Sequence, residues 1–485
     1  LFVNRIAARV SALLSGSSTP TPLLPSVMWQ LDENAHGEIL VNQALAEAVI
    51  RCLSLSREPY EASVLSKFSL HDWERTFHWL DRSDLSLYLL QRLKSIGATE
   101  LIPRTVLDRF ERNLTDNRRR VDYMAAEFGS LNERFARAGV NYAAIKGFSL
   151  VPAYCPDAIL RAPSDLDYLV DEPSLPTAQR VLEETGYCLQ HFSDMEFKFG
   201  RPSSRIPTVF DDPYSRKTEP LVELHLAFWN RKANRVPVNE PKFRLDQAIE
   251  HDWQSLRFPA LKDEDAFVLQ ILHVFQHTLE CWVKLCWLLE IGYFLRARLS
   301  DTQFWDRVDV RLREVPFLAE FAAVVTGLAE RVFAAPMPPI TEKWKKCLRS
   351  SAGLWLDNYA WSWVTEDRDT FNLFSAAKLA LFLHREFIPD LEVRREITQR
   401  RLFPWKQPEQ IAVPVDNTPG SVLTARRLQW TFVLQRLIFH LGSSSGYLLE
   451  MPRWRELNRR SGSHNSHQPD TTPPCDLSNQ QITPH

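Results

Sequence analysis

Apolar residues recur at three- and four-residue spacing through 38–56 and 60–97, and again from Pro103 to about 138, where Gly139 closes the pattern. That period gathers apolar positions on one face of a helix. Trp73, Phe77 and Leu80 follow it and are expected in a core. From 140 to about 230 the period shortens to two, the mark of half-buried strands. Residues 140–146, 165–170, Met195–Gly200 and 220–228 read as strands, Ser174 to about Thr185 as a helix, and Arg201–Thr218 as a loop. Residues 263–299 return to helical spacing as one long helix or a broken pair, and 301–450 are mainly helical.

This order predicts an α+β fold, a small mixed sheet embedded in predominantly helical N- and C-terminal regions. The expected divisions are a flexible N-terminal segment (1–37), a helical region (38–139), an α/β core (140–232), a helical bundle packed on that core (245–335), a helical C-terminal region (340–452) and a polar, disordered tail (456–485). Trp305, Trp344, Trp355, Trp361, Trp363, Trp405 and Trp430 are expected to fill the core of the C-terminal region.

The densest chemistry lies in Asp165-Leu166-Asp167-Tyr168-Leu169-Val170. On a strand, Asp165, Asp167 and Leu169 share one face, and Leu166, Tyr168 and Val170 the other. Two neighbouring carboxylates repel, and each raises the other's pKa. A divalent cation removes that cost, and hard oxygen donors suit Mg²⁺ or Mn²⁺. Downstream, Leu221-Val222-Glu223-Leu224-His225 is a further strand with Glu223 and His225 on one face. Placed beside the first, it supplies a third carboxylate, and such a trio can hold two metal ions for in-line displacement at phosphorus. Upstream, Lys146-Gly147-Phe148-Ser149 follows a strand and opens a turn or short helix, where backbone N–H groups, a hydroxyl and an ammonium can meet a phosphate.

The succession of Ile145-Lys146-Gly147, Tyr154-Cys155-Pro156, Arg161, Asp165-Leu166-Asp167-Tyr168-Leu169-Val170, Gly186-Tyr187 and Glu223-Leu224-His225, followed by a helix carrying His273 and His277, resembles the bacterial family known as uncharacterised nucleotidyltransferases. The likeness spans roughly 70 to 300. Ile145 replaces the usual Leu, Ala162-Pro163-Ser164 stands between the Arg and the first Asp, and Glu290 occupies a position where the family often has Asp. The resemblance implies a nucleotidyltransferase-type core, a nucleoside triphosphate such as ATP as substrate, and Mg²⁺ or Mn²⁺ as cofactor. It casts Asp165, Asp167 and Glu223 as metal-binding and catalytic, and Lys146, Gly147, Ser149 and Arg161 as nucleotide-binding. His225 would orient Glu223 or the acceptor. No expected carboxylate is missing, which implies an active enzyme. The rival readings are a non-catalytic relative that binds nucleotide or a partner protein, and a helical scaffold with an incidental acidic strand.

Composition narrows the acceptor. A formal net charge of −2 over 485 residues argues against a broadly basic nucleic-acid surface, so a small molecule, peptide or protein acceptor is expected in preference to long nucleic acid. Arg118-Arg119-Arg120 is a local basic run, read as a solvated helix face, and the basic residues Arg201, Arg205, Arg216 and Lys217 as a surface loop. His273 and His277 share a helix face, but their spacing lacks the Glu of H-E-x-x-H and reads as packed histidines. Seven dispersed cysteines fit a reducing cytoplasm. Phosphate-loop, dinucleotide-binding and hydrolase-elbow motifs are absent. The mildly basic start is not a secretory signal, and no apolar run is long enough to span a membrane.

Overall fold

The computed structural model describes residues 42–56, 62–202, 214, 219–366, 375–404 and 419–465, all within the unit Val41–His485. The expected segment 1–37, the loop cations Arg205, Arg216 and Lys217, Trp405 and residues 466–485 lie outside the described residues.

Among the described residues four α-helices precede the sheet: α1 (Gln43–Cys52), α2 (Leu70–Arg82), α3 (Ser86–Ser95) and α4 (Arg104–Arg137). A capping box fixes the start of α2, with the Ser69 hydroxyl accepting from Asp72 N–H and the Asp72 carboxylate accepting from Ser69 N–H. The sheet strands are β1 (Tyr142–Ile145), β2 (Asp165–Val170), β3 (Cys188–Phe192), β4 (Glu196–Gly200), β5 (Leu221–His225), β6 (Ile249–Trp253) and β7 (Leu256–Ala260), with helix α5 (Leu175–Glu184) between β2 and β3. They form a mixed seven-stranded sheet in the order β3-β4-β5-β2-β1-β7-β6. β2 runs parallel to β5 and antiparallel to β1. The fold class is therefore α+β, with helical regions flanking a sheet core.

One face of the sheet is closed by α4. Tyr168 of β2 stacks on Phe128 and meets Phe135 edge-on, at centroid separations of 5.8 and 5.2 Å. Leu166, Val170, Val222 and Leu224 are buried on the same side. The opposite face is divided. A small apolar cluster of Ala143, Ile145, Leu169, Phe228, Leu261 and Leu269 seals one end, and the other end carries the polar side chains of β2 and β5. The strand phase predicted from alternation is the one that forms.

The stretch 245–335, read as helical throughout, opens instead with the β6–β7 hairpin at the sheet edge. Its outer strand is largely exposed, so Ile249-Glu250-His251-Asp252-Trp253 has no apolar alternation to betray it. Beyond it, 263–299 is a broken pair, α6 (Asp263–Leu279) and α7 (Leu285–Ala297). The C-terminal helices bury Trp305, Trp344, Trp355 and Trp363 as expected, but Trp361 is partly exposed and Trp430 is 71 % exposed on the outer face of the long helix Pro419–Asn465. That helix continues into the stretch 456–485 read as a tail, where Glu456 pairs with Arg459 and Arg460 at helical spacing. No described helix is long and apolar enough to cross a membrane.

Candidate active site in the carboxylate cleft

The parallel ladder between β2 and β5 sets Asp165 opposite Leu221, Asp167 opposite Glu223 and Leu169 opposite His225. Because side chains alternate, Asp165, Asp167, Glu223 and His225 all rise on the face away from α4. They line a cleft of about 390 Å³, within the range of small-molecule pockets. Lys146, Gly147 and Arg161 line it too.

The tightest group is Asp167, Glu223 and His225, all buried, with ligand atoms within 4.8 Å of one another. His225 Nε2 lies 2.9 Å from Asp167 Oδ1 and 3.5 Å from Glu223 Oε2. The imidazole thus stands in the carboxylate cluster itself, while Asp165 lies one pleat to the side and is half-buried. Hard carboxylate oxygens with one imidazole form a donor set that suits a divalent cation.

Charge is crowded here. Burial, with Asp167 and Glu223 close by, pushes the Asp165 carboxyl up to about 6. Burial would raise Glu223 as well, but the hydrogen bond from His225 and the charges of Lys146 and Lys198 hold it well below the usual carboxylate range. His225 is raised, because Asp167 and Glu223 outweigh the burial that works against its charged form. Lys146 is raised by Asp167, Glu223 and Asp165 against the same opposing effect of burial. Its ammonium donates to Asp167 Oδ1 at 2.7 Å and sits 4.8 Å above the Phe228 ring.

Gly147 follows Lys146 where the chain turns sharply, with φ of +46° and +56° respectively. The turn or short helix expected from sequence is a single 3₁₀ turn, Gly147–Leu150. Ser149 does not line the cleft. Its hydroxyl donates to the Lys146 carbonyl at 2.7 Å and closes that turn. Arg161 is pinned from the rear by a buried ion pair to Glu290 of α7 at 2.8 Å, and it donates to the Gly147 carbonyl at 3.2 Å.

The approach to Asp165 is braced by α4. Asn117 donates to the Ile159 and Arg161 carbonyls at 2.7 and 2.6 Å, and Arg120 to the Pro163 carbonyl at 2.6 Å. Arg120 is therefore buried, not part of a solvated face; Arg118 and Arg119 are exposed. Arg201 is held by Glu127 and Glu219 and does not line the cleft.

Several lining residues escaped sequence reading. Lys198 of β4 donates to Glu223 Oε1 at 2.6 Å and pairs with Glu196 at 2.8 Å. The alternation Glu196-Phe197-Lys198-Phe199 is the signal that could have found it, once β4 is set beside β5. Lys284, paired with Asp84 at 2.7 Å, joins positions 200 residues apart and left no local trace. Opposite the carboxylates stands an aromatic wall: His273 packs on Trp287 and His277 on Trp282, at centroid separations of 4.4 and 4.1 Å. Burial keeps both histidines below their ordinary pKa, reinforced at His273 by His277 and Lys146 and opposed at His277 by Glu280, so they face the cleft as neutral rings.

A family model described as "Uncharacterised nucleotidyltransferase" matches residues 69–334, more than half of the chain. No curated protein matches the sequence.

Proposed function

This chain belongs to the uncharacterised nucleotidyltransferase family, and from that premise we propose that it is an enzyme that transfers a nucleoside monophosphate from an NTP to an acceptor hydroxyl and releases pyrophosphate. The observation that carries the reading is the register pairing of Asp167 with Glu223, which gathers carboxylates at one end of a sheet face beside Lys146. In this reading Asp165, Asp167 and Glu223 hold Mg²⁺ or Mn²⁺, with His225 in contact with two of them. Bound metal would neutralise the triphosphate and the departing pyrophosphate.

The chain's own residues do the rest. Lys146, released from Asp167 when other charge arrives, meets a phosphate oxygen. Gly147 lets the backbone approach the phosphates closely, and Ser149 fixes the turn that presents it. Arg161, anchored by Glu290, lends the cleft floor positive charge. The acceptor oxygen attacks the α-phosphorus, the bond from that phosphorus to the bridging oxygen breaks, and a carboxylate of this face takes the hydroxyl proton. Catalysis is then chiefly positioning and charge neutralisation. The cleft's volume and neutral aromatic wall favour a small molecule or a peptide or protein side chain as acceptor over long nucleic acid. A reducing cytoplasm, suited to the dispersed cysteines, is the proposed setting.

One feature favours a second reading. Lys146, Lys198 and His225 already satisfy Asp167 and Glu223 without metal, as they would in a relative that binds nucleotide without turning it over. Pyrophosphate release, measured with each NTP and a panel of hydroxyl acceptors with and without Mg²⁺ or Mn²⁺, separates the two. Metal-dependent release that disappears in Asp167→Asn supports the enzyme. Metal-dependent melting shifts with no release would support the binding protein.

A further inference from the structure

The loop after α6 has two sides. On one side Trp282 lines the carboxylate cleft, and on the other it lines a second cavity, of about 330 Å³, between that loop, helix Leu391–Leu402 and the long helix Pro419–Asn465. Charge in this cavity is lopsided. Arg82, Lys378, Arg401 and Arg436 stand on its wall against Glu280 alone among the described residues. Glu280 is itself engaged with His277, whose Nδ1 lies 3.1 Å away.

Lys378 is the most telling of these groups. It is 3 % exposed, and its ammonium reaches only uncharged partners: Ser444 Oγ at 2.9 Å, His440 Nδ1 at 3.0 Å and the Leu402 carbonyl at 3.4 Å. Among the described residues, Lys378, Arg401 and Arg436 form no salt bridge, and Arg401 Nε is buried with no acceptor. Three less deeply buried cations of this fold do meet a carboxylate. Lys146 sits on Asp167, Lys284 on Asp84 and Arg161 on Glu290. A cation withdrawn from water without a counter-charge is expensive. Burial, with Arg401 and Arg436 nearby, accordingly pushes Lys378 down to about 8. An anion in the cavity would remove that cost, and the Phe432 and Phe439 rings on the same wall offer apolar surface beside it.

We propose that this cavity is a second ligand site, taking a small oxyanion of the phosphate class, free or carried on an organic body, between Lys378, Arg401 and Arg436. The site stands on groups separate from the carboxylates, so it does not depend on the function proposed for the cleft.

The test is calorimetric titration of the full chain in EDTA with inorganic pyrophosphate and, separately, with ADP. The expected result is saturable uptake, weakened about tenfold or more by Arg436→Gln and by Lys378→Met, the size of one lost charge-assisted hydrogen bond. Lys146→Gln, which alters the cleft, should leave that component in place. Tighter uptake of ADP assigns a phosphorylated organic ligand, and equal or tighter uptake of pyrophosphate assigns a free oxyanion. Lys378 is deeply buried and its variant can unfold, but Arg436 is half-exposed on a helix and its variant keeps the test open. Affinities equal within about twofold in wild type and Arg436→Gln, or no saturable uptake of either probe, overturn the proposal.

Discussion

Asp167 and Glu223 are partners across the parallel ladder of β2 and β5, and His225 Nε2 reaches both, at 2.9 and 3.5 Å. The ladder fixes their backbones, and Lys146, Lys198 and His225 hold the carboxylates, so the pair is preorganised for charge it does not itself carry. Asp167→Asn keeps the shape and removes the charge. Pyrophosphate release should fall by roughly 10²-fold or more, while the circular dichroism spectrum and cooperative melting persist. Turnover within a few-fold of wild type would remove Asp167 from the reaction.

Asp165 stands beside that pair, and the burial and crowding of like charge that raise its carboxyl to about 6 are a stability cost. At neutral pH it is mostly ionised, at a cost to the fold. Asp165→Asn should therefore stabilise the metal-free protein by roughly 1–2 kcal/mol, read as a higher urea midpoint in EDTA. The same variant should lose the rise in melting temperature that Mg²⁺ or Mn²⁺ brings to wild type. A lowered midpoint would mean that the carboxylate holds the fold together more than it strains it.

Arg161 and Glu290 form the ion pair beneath the cleft floor, and the Tyr88 hydroxyl donates to Glu290 Oε1 at 2.8 Å. Glu290→Gln strands a buried guanidinium and should cost roughly 3–5 kcal/mol. The double variant Arg161→Met/Glu290→Gln should recover part of the loss, because no charge is left unpaired. Equal stability of Glu290→Gln and wild type in urea would show that water or another group already compensates Arg161.

Arg120 and Asn117 hold the carbonyls of residues 159–163 and so aim the strand that begins at Asp165. Arg120→Met should reduce kcat/KM by about tenfold or more and speed amide exchange in 159–164, with other segments unchanged. Faster exchange at undiminished kcat/KM would make the brace structural only.

His384 predicts an acid-sensitive fold. It is fully buried, with Nε2 at 2.7 Å from the Asn234 carbonyl and Nδ1 without a partner, and burial pushes it down from 6.5 to about 4. The unfolded chain therefore takes up the proton first. Its contribution is whole above about 6.5 and is lost as pH falls from there through about 4, reaching roughly 2–3 kcal/mol. His384→Gln should flatten the denaturant midpoint across that window. A midpoint that falls as steeply in the variant would assign the acid limb to other groups.

The α+β class, the helical lead-in and the facing of Asp165 and Asp167 opposite Leu166, Tyr168 and Val170 were all legible in the chain. Each depends on a local repeat, and backbone geometry sets which residues of a strand or helix share a face before anything packs. The order of the motifs likewise marked the family. The β6–β7 hairpin was not legible, because a largely exposed edge strand needs no apolar alternation. Trp430 read as core, since an aromatic residue in a helix announces a large surface but not which side it will take.

Only the tertiary structure decided who answers each charge. It set Glu223 in register with Asp167, laid Lys198 on Glu223, turned Arg120 inward and joined Arg161 to Glu290. It also left Lys378 buried without a carboxylate among the described residues. Periodicity is a property of consecutive residues and survives in the sequence. A buried charge acquires its partner only when collapse removes water and brings distant segments together, and that choice leaves no mark on neighbouring positions.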